Sequence, residues 1–160
     1  MLNALLHHHP AVRQIPRCGI VHRLDKETTG LLVVAKTLES HTALVKALQK
    51  REFDREYEAI VAGTMTGGGT INAPMGRHPR HRTKMGVLTR GTDGSHGGKE
   101  AVTHYRLLRR FTHHTHLQVK LETGRTHQIR VHMAHIHHPI VGDSLYAGRE
   151  KIPKECSTQL

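Results

Sequence analysis

One carboxylate lies inside a basic run, His22-Arg23-Leu24-Asp25-Lys26, between two apolar segments. Neighbouring positive charge holds such a carboxylate ionised, and an ionised carboxylate can serve as nucleophile or general base. The same run equally suits a solvated loop of local ion pairs. A second constellation runs Leu121-Glu122-Thr123-Gly124-Arg125-Thr126-His127-Gln128-Ile129-Arg130. On a helix Arg125 and Arg130 point to different faces. One is then available to phosphate, while the other points inward and needs a carboxylate partner. The plain alternative is a basic helix face that only solvates the protein. A third run, Arg55-Glu56-Tyr57-Glu58-Ala59, carries one of only three tyrosines. Its ring can stack on a nucleobase or simply fill the core.

Histidine is abundant, so a metal site is weighed too. His132 and His135 are spaced for one helix face, and His113, His114 and His116 cluster at a turn. Zinc sites usually add Cys or carboxylate ligands at fixed spacing. Neither Cys-x-x-Cys nor His-Glu-x-x-His occurs, so no metal is expected.

The elements that must position these groups can be read from periodicity. Leu2 to Leu6 reads as the tail of a helix broken by Pro10. Gly30 to Lys36, apolar and β-branched, reads as a buried strand. Ser40 is placed to cap a helix from about His41 to Arg51, with Leu44, Val45, Ala47 and Leu48 as its apolar stripe. Glu56 to Ala62 reads as a strand closed by Gly63, and Gly67-Gly68-Gly69 as a tight turn. The basic run from Arg77 through Arg80 and Arg82 to Lys84 contains Pro79, which argues for a protruding loop or hairpin. A second Gly-rich turn covers 92–98. Ala101 to Leu108 and Thr115 to Glu122 read as strands; in the latter, Leu117, Val119 and Leu121 alternate with polar residues. Arg125 to Ile136 reads as a helix with Ile129, Met133 and Ile136 on one face. Residues 151–160 read as an unstructured tail. Strands outnumber helices and the connections look hairpin-like, so the expected class is α+β with a mixed, mostly antiparallel sheet.

Composition narrows the partner. The chain has 160 residues, enough for one compact domain, and 24 Lys plus Arg against 13 Asp plus Glu give a net charge of +11. That excess concentrates polyanions around the protein. Without a lysine-rich amphipathic helix, nucleic acid is favoured over a membrane surface. No apolar run is long enough to span a bilayer, and the N-terminus is too quickly polar for a secretory signal. Cys18 and Cys156 lie far apart, and a reduced, cytoplasmic protein is expected.

The three constellations, in this order, resemble the RluA/RluD-type family of pseudouridine synthases. The matching runs are His22-Arg23-Leu24-Asp25 with Thr28-Thr29-Gly30-Leu31-Leu32-Val33-Val34-Ala35-Lys36, then Arg55-Glu56-Tyr57-Glu58-Ala59, then Thr123-Gly124-Arg125-Thr126-His127-Gln128-Ile129-Arg130-Val131-His132-Met133. Supporting runs are Ala101-Val102-Thr103-His104-Tyr105 and His138-Pro139-Ile140-Val141-Gly142-Asp143. The resemblance implies the pseudouridine synthase fold, with a sheet and flanking helices beside a cleft. It also implies isomerisation of uridines in large-subunit ribosomal RNA, with no cofactor and a monomeric enzyme. It puts Asp25 on the catalytic aspartate, Tyr57 on the tyrosine against the target base and Arg130 on the basic partner of the aspartate. Arg23 falls on an arginine that fills the space of the flipped nucleotide. With His22, Arg125, His127 and the 77–84 run it makes the expected RNA-contacting set. Residues 1–149 match a catalytic domain shortened at both ends, without the family's S4-like N-terminal domain. The competing expectation is an RNA-binding fragment without catalysis.

Overall fold

The computed structural model describes residues 1–88 and 97–148. They form two compact units, Met1–Phe53 and the residues from Asp54 onward. The tail at 151–160, and all of the Gly-rich turn at 92–98 except its last two residues, lie outside the described residues.

The first unit begins with helix α1 (Leu2–His8), followed by two 3-10 turns at Pro10–Gln14 and Pro16–Gly19. Val12 and Ile15 are buried there. Arg17, Cys18 and Gly19 take successive left-handed conformations. At Gly19 a Cβ would run into the Ala35 carbonyl oxygen, so glycine is what lets the two segments close up. Ala35 N–H donates to Gly19 O at 2.9 Å, and Ile20 and Val34 form a single antiparallel bridge.

The strand expected over 30–36 does not form. That bridge is its only rung, and Val33 N–H donates instead to His22 Nε2 at 2.9 Å. Leu31 is 93% exposed. Apolar β-branched composition favours a strand only where a neighbour completes the ladder, and tertiary context decides that. Helix α2 (Leu38–Gln49) starts earlier than expected. Thr37, not Ser40, is its N-cap: Thr37 Oγ1 accepts from Ser40 N–H and Ser40 Oγ accepts from Thr37 N–H, both at 3.1 Å. This is a reciprocal capping box, with serine in the place usually taken by glutamate.

The second unit is built on a four-stranded sheet. Its strands are β1 (Glu56–Ala62), β2 (Gly69–Asn72), β5 (Val102–Arg110) and β6 (His114–Leu121), in the order β1-β6-β5-β2. Every ladder in it is antiparallel. The alternation read in β6 holds, with Leu117 and Val119 fully buried and Leu121 nearly so. They pack with Val61, Ile71 and Met133, the last from helix α3 (Gln128–His135), while Ile129 and Ile136 flank the cluster. The basic run does form a hairpin, β3 (Met75–Arg77) with β4 (Met85–Val87). The α+β class with a mostly antiparallel sheet is therefore what the chain adopts.

Candidate functional site

In the first unit Asp25 and His22 are half-buried and Arg23 is exposed. Asp25 sits in a turn closed by Thr28 N–H to Asp25 O at 3.1 Å. Because His22 Nε2 accepts the Val33 amide, its ring proton belongs on Nδ1. One hydrogen bond thus ties the chain before the aspartate to the chain after it. Lys26 pairs with Glu27, at 3.8 Å, and is 94% exposed, so it serves as a solvated charge.

In the second unit α3 begins at Gln128 rather than Arg125, because residues 122–127 are held as a loop. Gln128 is buried, and its side chain makes four hydrogen bonds. Oε1 accepts from Thr123 Oγ1 (2.8 Å) and Arg125 N–H (3.0 Å), and Nε2 donates to Val102 O (2.9 Å) and Thr103 Oγ1 (3.0 Å). The network continues to His132, whose Nδ1 meets Thr103 Oγ1 at 2.8 Å and whose Nε2 meets the Ala73 carbonyl at 3.0 Å. A carbonyl only accepts, so Nε2 carries the proton and Thr103 donates to Nδ1. Burial pushes the His132 imidazole below its ordinary range; the Ala73 carbonyl opposes this and His135 adds to it. Arg55 Nη2 braces the same loop through Glu122 O at 3.1 Å, and His127 caps α3 in a left-handed conformation.

Of the two arginines Arg130 is the one that points inward, and its observed partner is Asp143. Nε donates to Oδ2 at 2.8 Å and Nη2 to Oδ1 at 2.9 Å, with side-chain exposures of 11% and 0%. Oδ1 also accepts the Leu145 and Tyr146 amides at 2.9 and 3.0 Å. Burial alone would raise the Asp143 carboxyl, but the Arg130 hydrogen bonds, the two amides and the Arg130 charge outweigh it and lower it. The Tyr146 ring lies under the Arg130 guanidinium at 5.0 Å. Its hydroxyl accepts Met85 N–H at 3.0 Å and hydrogen-bonds His127 Nδ1 at 2.8 Å. One tyrosine therefore joins α3, the loop before it and the start of β4, at the turn end of the β3–β4 hairpin.

The fold thus gathers His127 and Arg130 around Tyr146. Arg125 lies outside the helix, and its Nε donates to Glu100 O at 2.9 Å. Tyr57 is half-buried on β1, opposite Val119, and packs against the core cluster. On the hairpin Arg77, Arg80 and Arg82 are exposed and Lys84 is half-buried. His78 Nδ1 accepts the Arg80 and His81 amides at 3.2 Å, which shapes the turn between the basic residues. Sequence reasoning missed Asp143, Tyr146 and the Gln128 network. The one signal for Asp143 was the requirement that an inward arginine find a carboxylate. Among the described residues, no three His, Cys, Asp or Glu side chains gather as metal ligands do.

The chain belongs to the RNA pseudouridylate synthase family, whose model matches residues 6–135. Among curated relatives it is 61% identical over 160 residues to "Ribosomal large subunit pseudouridine synthase D" of Pseudomonas aeruginosa, covering 100% of this chain and 48% of that protein. It is 58% identical over 157 residues to the protein of the same name from Escherichia coli K12, covering 98% of this chain and 46% of that one. The chain therefore spans about half the length of these relatives. Among solved structures it is similar to "Human RNA Pseudouridylate Synthase Domain Containing 1", with a TM-score of 0.75 at 28% identity, over 88% of this chain and 60% of that one.

Proposed function

We propose that this chain carries the catalytic domain of an enzyme that converts uridines of large-subunit ribosomal RNA to pseudouridine, with Asp25 as the catalytic carboxylate. The observation that carries the reading is the ordered set of Asp25, Tyr57 and Arg130 motifs inside a family match covering residues 6–135. The names and high identity of the bacterial relatives support the RNA class.

The reaction breaks the C1′–N1 bond, turns the uracil and forms C1′–C5, with the C5 proton lost and N1 protonated. No redox change occurs and no cofactor is needed. A uridine inside folded RNA must first be extruded, and Arg23 takes the vacated space. Asp25 attacks C1′ or C6, or removes the 2′ proton. Tyr57 holds the base, and Arg130 stabilises the aspartate, its own guanidinium being oriented by Asp143. His22, Arg125, His127 and the 77–84 hairpin supply RNA contacts. In this reading residues 1–149 act as one catalytic domain of a monomeric cytoplasmic enzyme.

The test is incubation with ribosomal RNA lacking pseudouridine, followed by mapping of modified sites. Product is expected from this chain, and Asp25→Asn should abolish it while RNA binding persists. RNA binding without product would establish a non-catalytic fragment instead, and turnover by the Asn variant would remove Asp25 from its role.

A further inference from the structure

The β5–β6 hairpin is basic over its whole length. Between Glu100 and Glu122 there is no acidic residue, while Arg106, Arg109, Arg110 and Lys120 all fall there with four histidines. Toward the tip, three arginines are each held by a neutral partner. Arg106 Nε and Nη2 donate to Gln118 Oε1 at 3.2 and 2.9 Å. The Arg109 guanidinium lies over the Phe111 ring at 5.0 Å. Arg110 Nη2 donates to the Thr66 carbonyl. Among the described residues no carboxylate pairs directly with any of the three; across the sheet Glu58 meets His116 at 2.8 Å and Glu56 accepts from Gln118 Nε2 at 3.1 Å. The guanidinium groups are thus oriented without being neutralised. Phe111 is 41% exposed and Leu108, beside the bulge between Leu107 and Arg109, is 40% exposed.

Oriented, uncompensated arginines beside an exposed ring suit a strand of RNA: phosphates on the guanidinium groups, a base on the ring. We propose that the β5–β6 tip, through Arg106, Arg109, Arg110 and Phe111, is a second RNA-binding site that grips single-stranded or loop RNA at the far end of the sheet from the 122–127 loop. β6 runs eight residues from the tip to the 122–127 loop, so the two lie roughly 25 Å apart. The site therefore reads a different part of the substrate from the loop that carries Arg125. The inference rests on the reading that this protein binds RNA, and it adds a grip on the substrate that the catalytic motifs do not contain.

One competing explanation is edge protection. β2 pairs with β5 only as far as Tyr105, so on that side Arg106 to Arg110 have no ladder partner among the described residues, where charge deters strand addition. Another is a protein partner that covers Phe111 and Leu108.

The experiment compares the wild-type protein with Arg109→Ala/Arg110→Ala, Phe111→Ala and Phe111→Tyr. Each is titrated with a large-subunit ribosomal RNA fragment across a salt series, and its solution state is checked by light scattering. The double variant should bind about tenfold more weakly, with a salt slope shallower by about 1.4, as expected when two single-strand phosphates are no longer neutralised. Phe111→Ala should weaken binding about tenfold or more, and Phe111→Tyr should restore it because the stacking face survives. Unchanged affinity and slope overturn the proposal. So does aggregation of the variants with RNA affinity intact, which would establish edge protection, or intact RNA affinity with loss of a protein partner. Repeating the titrations on Asp25→Asn separates this site from the catalytic reading. Hairpin-dependent binding there, with no product from wild type, would sink the enzyme and leave the site standing.

Discussion

Arg130 and Asp143 grip each other through two parallel hydrogen bonds, Nε to Oδ2 at 2.8 Å and Nη2 to Oδ1 at 2.9 Å, in a nearly water-free setting. The paired fork fixes the plane of the guanidinium as well as its position. Removing one member of such a pair leaves a buried charge alone, which costs about 3–5 kcal/mol. Asp143→Ala should therefore lower the denaturant midpoint sharply. Arg130→Lys should do so as well, since an ammonium cannot reproduce the fork. If both variants unfold like the parent, the pair is not what holds α3 against the turn at 143–146.

The Gln128 side chain organises the loop that carries Arg125 and His127. Gln128→Leu keeps the volume but removes the acceptor of the Arg125 amide and of the Thr123 hydroxyl, while Val102 O and Thr103 Oγ1 keep Glu122 N–H and His132 Nδ1 as partners. Each buried group left unsatisfied costs about 1–3 kcal/mol. Amide hydrogen exchange at Arg125 should accelerate markedly in this variant while β1 and β6 stay protected. Unchanged exchange would show that the loop is held by other interactions.

His132 and Asp143 both make stability fall with acid, in different pH windows. His132 is depressed in the fold, chiefly by burial, so the unfolded chain binds its proton more readily. Its contribution is complete above the unfolded value of about 6.5 and fades as pH drops below that. Asp143 is also depressed, because Arg130 and two amides outweigh its burial. Its contribution is complete above about 4 and fades only below that. The melting temperature should decline from pH 7 to pH 5, and His132→Gln should flatten that decline. A wild-type melting temperature independent of pH over this range would contradict the assignment.

The β3–β4 hairpin should contribute affinity without sequence preference, since its arginines are exposed at a turn rather than buried in a pocket. Replacing Arg77, Arg80, Arg82 and Lys84 by alanine should weaken binding to unrelated RNAs alike. The salt slope should fall by about 0.7 to 0.9 for each phosphate that the hairpin no longer neutralises. A weakening confined to one RNA sequence would show base readout instead.

What the sequence determined by itself was whatever repeats locally. The period-two alternation in β6 and the apolar run of β1 have burial written into neighbouring residues, so both strands were legible almost to their ends. The motif order placed the chain in its family, and Pro79 with its basic neighbours marked a hairpin. Tertiary structure decided the rest. Gly30 to Lys36 has strand composition, yet His22 takes the Val33 amide that a ladder would need. The start of α3 was misplaced because Gln128, whose partners lie as far away as residue 102, turns the preceding residues into a loop. The need for a carboxylate beside Arg130 could be deduced from the cost of burying a charge. That Asp143 meets the need could not, because the pairing depends on how α3 and the turn at 143–146 pack together, and no local pattern encodes that.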